Sequence, residues 1–170
     1  MTSKLSNIEW VIERSKIIDV IVAIANAMDN KNWQNLRKYL ADEIHVDYSE
    51  FRGELPQQIT AESYIQKRAE GLTGLKTLHI STNHEVAIVR AHPPNRIRGL
   101  VSPVKDYAQC RSAYRIYRFD PTDESRQERL DTAGNYEHQL IRVDGKWRVT
   151  AIKQTVVMMS GNRRVHRGLQ

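Results

Sequence analysis

The chain has 170 residues, of which 40% are hydrophobic and 27% charged, a balance typical of a single globular domain. Its longest apolar stretch, residues 17–25, is interrupted by Asp19 and is shorter than the roughly 20 apolar residues that cross a bilayer. The N-terminus has no pattern of an export signal, so we expect a cytoplasmic protein.

The net charge of +6 is unevenly distributed. Segments 90–118 and 161–170 hold ten of the 26 Lys and Arg residues but only one of the 20 acidic residues, so the remainder is mildly acidic. No zinc-finger, RNA-recognition or helix-turn-helix pattern occurs. We therefore expect neither a nucleic-acid nor a membrane partner. The charge indicates solvated loops and a basic tail, residues 161–170, after one domain spanning residues 1–160, or else an anionic ligand or a partner surface.

The first half of the chain has the periodicity of helices. Apolar residues recur at helical spacing between residues 5 and 29, and Ser6 or Asn7 can cap this long amphipathic helix. A short helix is predicted over 33–40, a strand over 44–48, and a capped helix from about residue 60 to 71.

The second half is rich in β-branched and aromatic residues. Four strands are predicted, at 77–89, 107–119, 136–143 and 147–159, and Asp144-Gly145 predicts a tight antiparallel hairpin between the last two. Segments 92–105 and 120–134 are predicted surface connections. Helices followed by antiparallel strands indicate an α+β fold, in which helices cover one face of a curved sheet around a small-molecule pocket.

Asp29 and His79 stand out as polar residues in structured segments. An aspartate at a helix end is usually a solvated turn former, and a histidine in a strand is usually a hydrogen-bonded structural residue. Their positions alone do not assign a role to either residue.

Several segments resemble the scytalone dehydratase family. They are residues 24–38, 44–51, Leu78-His79-Ile80, 144–147 and 151–153, within a similarity that runs from about residue 8 to 159. The wider group is the SnoaL-like superfamily of cone-shaped α+β barrels. This resemblance implies N-terminal helices packed on a strongly curved mixed or antiparallel sheet that encloses a pocket.

The resemblance also implies a catalytic Asp-His dyad. Asp29 would accept a hydrogen bond from one nitrogen of His79 and leave the other nitrogen to remove a proton from substrate. Tyr48 matches a tyrosine that helps to polarise the substrate carbonyl through water. The implied activity is that of a cofactor-independent, dehydratase-like lyase.

The predicted substrate-binding residues are less regular. Met28 stands where the family has a tyrosine, and the family's second active-site histidine has no counterpart on strand 107–119, where Tyr114 and Tyr117 are the nearest polar candidates. Tyr136 falls at a substrate-binding position, and His138 would share its side of the strand. These departures leave the substrate open.

We expect no metal or other cofactor. His79 and His84, five residues apart on a strand, should point to opposite faces, and no glycine-rich phosphate loop occurs. Two alternatives stay open: a non-catalytic small-molecule-binding or oligomerisation module of the same fold, and a cyclase, isomerase or hydrolase acting on a polyketide, steroid or terpenoid. Relatives commonly associate through the outer sheet face, so a homo-oligomer, a dimer or trimer, is expected.

Overall fold

The computed structural model describes residues 6–89, 106–124 and 128–166, so the predicted loop 92–105 and the end of the predicted tail lie outside the described residues. Its helices are α1 (Asn7–Asp29), α2 (Trp33–Arg37), α3 (Ser49–Arg52) and α4 (Ala61–Gly71). Its strands are β1 (Leu40–Asp47), β2 (Gln57–Thr60), β3 (Lys76–Val89), β4 (Tyr107–Phe119), β5 (Arg129–Val143) and β6 (Lys146–Gly161), followed by a 3₁₀ turn at Arg163–Val165.

The strands form one curved, six-stranded sheet in the order β2-β1-β6-β5-β4-β3. This confirms the predicted α+β fold and decides between the two predicted kinds of sheet. The sheet is mixed, because β1 pairs with β6 in parallel while the other neighbours are antiparallel. It is not closed into a barrel, since β2 and β3 are its two edges.

Helix α1 covers one face of the sheet. Ser6 begins it in a capping box with Glu9, which satisfies backbone N–H groups of the first turn. In its second half, Ile17, Ile21 and Ile24 are buried in the main core. None of the helices in the described part of the chain combines the length and hydrophobicity needed to span a membrane.

A buried polar contact fixes the middle of α1 to the β5–β6 hairpin. The Trp147 indole N–H donates to the Glu13 carboxylate at 2.8 Å, and Lys16 and Arg142 supply positive charge. Burial works to raise the pKa of Glu13, but the hydrogen bonds from Lys16 and Trp147 and the charge of Arg142 outweigh it and lower the pKa. The carboxylate is therefore buried as a compensated anion.

The predicted hairpin between β5 and β6 is confirmed. Asp144 and Gly145 both have positive φ, 49° and 76°, as a two-residue turn of this kind requires. The start of β5 was predicted wrongly, because it lies at Arg129 and not at residue 136. Residues 129–135 look like a polar loop in sequence, yet they pair along β4 and bury Leu130 and Thr132.

Two further boundaries differ from the prediction. Helix α2 ends at Arg37, and the chain is already a strand from Leu40. Residues 163–166, predicted as part of a solvated tail, pack against the domain, since Val165 and His166 are 8% and 3% exposed. The packed structure therefore extends at least to His166.

A bulge in β3 corrects the prediction for His84. The register against β4 shifts between Thr82 and Glu85, and Asn83 adopts a φ of 55°. The bulge adds one residue to β3, so the side chains beyond it alternate between the faces of the sheet in the opposite order. The partly buried residues before and after the bulge therefore lie on the same face. His84 therefore lies on the same side of the sheet as His79.

Gly134 makes room for an aromatic ring in the concave face. It lies where β5 changes register against β6, and it is paired with Tyr114 on β4. A Cβ atom there would collide with the backbone carbonyl of Thr155 and press on the Tyr114 ring. The constraint at Gly134 is therefore one of space.

We expect Gly134→Ala to lower the free energy of unfolding by about 1–3 kcal/mol, the usual cost of overpacking, because β5 and β6 must separate. Urea denaturation followed by circular dichroism measures this change. Asn135→Ala, on the exposed neighbouring position, is the control and should change stability by less than about 0.5 kcal/mol. Equal midpoints for the wild type and Gly134→Ala would contradict the packing described.

Candidate active site

The site begins at the C-terminal end of α1. Asp29 is the last residue of the helix, where a carboxylate meets the negative end of the helix dipole and is unfavourable without compensation. Three donors compensate it: the His79 backbone N–H at 2.8 Å, the Thr77 hydroxyl at 2.8 Å and His79 Nδ1 at 2.5 Å. The carboxylate thereby joins α1 to the start of β3.

Lys31 supports this junction from the turn after α1. Its ammonium donates to the Met28 carbonyl at 3.3 Å and to the Thr77 hydroxyl at 3.1 Å, so the Thr77 proton is directed at Asp29. Burial lowers the pKa of Lys31, and the nearby Asp29 charge opposes that change. A chain of donors therefore orients the carboxylate.

The hydrogen bond between Asp29 and His79 fixes the histidine tautomer. An ionised carboxylate only accepts, so Nδ1 of His79 carries the proton. His79 Nε2 makes no hydrogen bond with a residue that the structure describes, and the side chain lines the interior cavity. The neutral imidazole thus presents an accepting nitrogen to the pocket.

The electrostatics favour this protonation state. Burial lowers the pKa of His79; Asp29 opposes the change, while the positive charges of Arg118 and Lys31 add to it. For Asp29, burial works to raise the pKa, but the hydrogen bonds and charge of His79 and the Thr77 hydroxyl lower it overall. At neutral pH the pair is an anionic carboxylate and a neutral imidazole.

The interior cavity has two lobes between α1, α4 and the sheet. The first lobe has a volume of about 30 Å³ and the second about 20 Å³, so each has room for one or two water molecules. His79, Tyr48, Tyr136 and Met28 line both lobes. A larger ligand therefore requires side chains around the cavity to move.

Tyr48 belongs to a pair of buried tyrosines. Its hydroxyl lies 3.0 Å from that of Tyr64 on α4, and the Arg68 guanidinium lies 4.8 Å from the centre of the Tyr48 ring. Burial and the neighbouring Tyr48 raise the pKa of Tyr64 well above its ordinary value. Tyr64 is therefore a neutral phenol that can donate or accept a hydrogen bond inside the protein.

Most of the predicted substrate-binding residues lie at this cavity. Tyr136 contacts Tyr114 and His138, with ring centres 4.6 and 5.3 Å apart. The three rings line the first lobe together with Met28. Burial and the charge of His84 lower the pKa of His138 to about 4, and its Nδ1 is buried without a hydrogen-bond partner. His138 is thus a neutral imidazole at physiological pH.

Tyr117 does not lie at the cavity. It is three residues from Tyr114 on a regular strand, so it points to the opposite face of the sheet. There it contributes to a concavity of about 680 Å³ with Leu78 and Phe119. The described lining of that larger concavity includes no histidine, so the candidate site is the smaller interior cavity.

Three residues of the site were missed in the sequence: Tyr64, Arg68 and Arg118. Tyr64 and Arg68 are four residues apart and share one face of α4, and Arg118 continues the inward-facing alternation of Tyr114 along β4. Arg118 belongs to the basic segment 90–118, whose charge the sequence predicts to lie mainly in solvated loops. Its 3% exposure shows that this part of the charge is inside the protein.

Across the described ranges, no group of three or more His, Cys, Asp or Glu side chains is placed to hold a metal ion. His79 and His84 share a face because of the bulge, but His84 Nε2 is hydrogen-bonded to the Ser81 hydroxyl at 2.9 Å. The arrangement is suited to moving a proton between His79 and a small molecule.

Comparison with solved structures shows the same fold at low sequence identity. A protein from Kribbella flavida, Kfla4162, matches with a TM-score of 0.74 and 19% identity over 89% of this chain and 95% of its own. A candidate scytalone dehydratase from Novosphingobium aromaticivorans matches at 0.68 and 15% over 89% of both chains. A type 2 hexachlorocyclohexane dehydrochlorinase matches at 0.67 and 15% over 95% of this chain and 96% of its own.

No curated protein sequence matches the chain. The model of the SnoaL-like domain matches residues 11–153, which include most of α1, β1 to β5, the first half of β6, and both members of the Asp29–His79 pair. The chain therefore belongs to the SnoaL-like family.

Proposed function

We propose that this protein is a cofactor-independent lyase in which His79 removes a proton from a small organic substrate in the interior cavity. The observation that carries the proposal is the Asp29–His79 hydrogen bond of 2.5 Å, in which Nδ1–H donates to the carboxylate, so that Nε2 is left to accept a proton from the cavity side. A histidine base paired with a carboxylate is an efficient proton acceptor near neutral pH.

The proposed reaction is an elimination. The substrate C–H bond breaks, its proton moves to His79 Nε2, and its electron pair forms the new C=C bond. The leaving group departs with its own electron pair. When that group is hydroxide, the imidazolium returns the proton and water is released. Asp29 stabilises the imidazolium between these steps because its charge lies against the ring.

Tyr48 is proposed to stabilise negative charge on a substrate oxygen. Its hydroxyl is held 3.0 Å from the Tyr64 hydroxyl. Tyr64 can therefore donate a hydrogen bond to Tyr48, while the Tyr48 hydroxyl donates to the substrate oxygen. Arg68 stacks over both rings, at 4.8 and 5.4 Å, and its positive charge favours an anionic oxygen nearby.

The comparisons support an elimination only in general terms. Two similar structures carry the names of a dehydratase and a dehydrochlorinase, and both names denote eliminations. At 15% identity they share the fold with this chain, so the chemistry proposed here depends on its own residues. The same base would also serve an isomerase or a cyclase, and the substrate decides between these reactions.

A general probe tests the base before the natural substrate is known. 5-Nitrobenzisoxazole opens when a base removes its ring proton, and the phenolate product is coloured. We expect His79→Ala to lower kcat/KM for this elimination by about 100-fold or more, and Asp29→Asn to lower it by a smaller factor. His45→Ala, an exposed histidine on β1, is the control. Full activity in both the His79→Ala and the Asp29→Asn variant would rule out this mechanism.

The pH dependence follows from the lowered pKa of His79. Since His79 acts as a base only when neutral, activity should be maximal at pH 7. It should fall only when the pH drops below the ordinary histidine value of 6.5 and His79 becomes protonated. Asp29→Asn removes the group that opposes this lowering, so the His79 pKa should fall further. Imidazole NMR titration measures both values, with His79→Ala identifying the resonance. An ordinary pKa, unaffected by Asp29→Asn, would instead indicate a passive binding pocket.

A further inference from the structure

Three arginines are buried beside the dyad. Arg118 is 3% exposed and Arg68 is 9% exposed, and the side chain of Arg52 is 7% exposed. They come from separate elements: Arg52 from α3, Arg68 from α4 and Arg118 from β4. Arginine is rarely this buried unless its charge is compensated.

The described residues supply little compensation. Arg118 donates to the Thr132 hydroxyl at 3.0 Å and stacks on Phe51, and its Nε has no hydrogen-bond partner. Arg68 stacks on the two tyrosines, and its Nε is also unpartnered. Only Arg52 has a carboxylate within the salt-bridge limit of 4.0 Å, that of Glu54 at 3.7 Å.

Such a cluster is electrostatically unfavourable in the free protein. Burial and the repulsion of Arg68 lower the pKa of Arg52 to about 10. Burial likewise lowers the pKa of Arg118 to about 10, and Arg68 and Arg52 add to the effect while two tyrosines oppose it. Both groups stay charged at neutral pH, so the region holds buried positive charge that an anion would stabilise.

The second lobe of the cavity connects this charge to the base. Arg68, Arg118 and Gln154 line it together with His79. Nε of Arg68 and Nε of Arg118 are buried without a hydrogen-bond partner, and the buried Gln154 amide lies close to the Tyr114 hydroxyl. Side chains from three elements, two of them with an unpartnered Nε–H group, therefore border one small space, a pattern suited to oxygen atoms that carry negative charge.

We propose that this lobe binds a carboxylate of the substrate, with Arg68 and Arg118 compensating its charge and Gln154 donating to one oxygen. Neighbouring carbon atoms of the substrate would then extend towards His79. If the protein is the lyase proposed above, its substrates are small organic acids. This identification of the substrate class rests on the proposed function. The lobe is small, about 20 Å³, so side chains around it must move to admit a ligand, and a planar carboxylate requires less movement than a tetrahedral phosphate.

Propionate and its neutral isostere propionamide test the site at constant ionic strength. Propionate should raise the Tm of the wild-type protein and shift the His79 imidazole resonance, whereas propionamide at the same concentration should do neither. Inorganic phosphate should bind more weakly than propionate. Equal effects of propionate and propionamide, no effect of either, or tighter binding of phosphate would each overturn the carboxylate assignment.

Variants locate the binding. Arg118→Met and Arg68→Met should weaken propionate binding at least tenfold, while Arg115→Met, on the exposed face of the same strand as Arg118, should leave it unchanged. The propionate-free Tm of Arg118→Met should equal or exceed that of the wild type, because a buried uncompensated charge is removed. Wild-type affinity in Arg118→Met would refute the site. If that variant does not fold, the wild-type comparison of acid and amide still decides.

The two proposals fail separately. Propionate binding that persists in His79→Gln, together with unchanged elimination of 5-nitrobenzisoxazole in His79→Ala, would support the carboxylate site and reject the base. Loss of elimination in His79→Ala without any propionate binding to the wild type would support the base and reject the carboxylate site.

Discussion

The hydrogen bonds of the Asp29 carboxylate determine how the site is assembled. Without them, a negative charge at the end of α1 would meet the negative end of the helix dipole. Its donors come from Thr77 and from the backbone and ring of His79, so the contact that seats the helix on β3 also sets the tautomer of the base. Structural and proposed catalytic roles are therefore inseparable in this pair.

Features set by local chemistry were predictable from the sequence. The Ser6 cap of α1 and the Asp144-Gly145 hairpin depend on a few adjacent residues, and the structure confirms both. The contact between Asp29 and His79 spans 50 residues and leaves no local pattern; it was predicted only through resemblance to a family. Periodicity alone gave each residue an ordinary structural role.

Other features depend on pairing between distant segments or on counting the alternation of a strand correctly. β5 begins early because β4 offers a partner along its whole length, which the polar residues 129–135 do not reveal. The bulge at Asn83 reverses the face of His84, and no residue there marks it beforehand. Tyr117 and Arg118 are different: counted in twos from Tyr114, they fall outside and inside respectively, so the sequence contained that answer.

Burial has the largest effect on the basicity of His79 and lowers it, and two opposing fields act beside it. Asp29 favours the imidazolium, whereas Arg118 and Lys31 disfavour it. A carboxylate in the second lobe would cancel part of the arginine field and leave that of Asp29 intact. Binding of the proposed substrate would therefore strengthen the base at the moment when a proton is within reach, whereas the free protein would keep His79 neutral and able to accept it. Under the two proposals, Arg118 would both help to bind the carboxylate and modulate the basicity of His79.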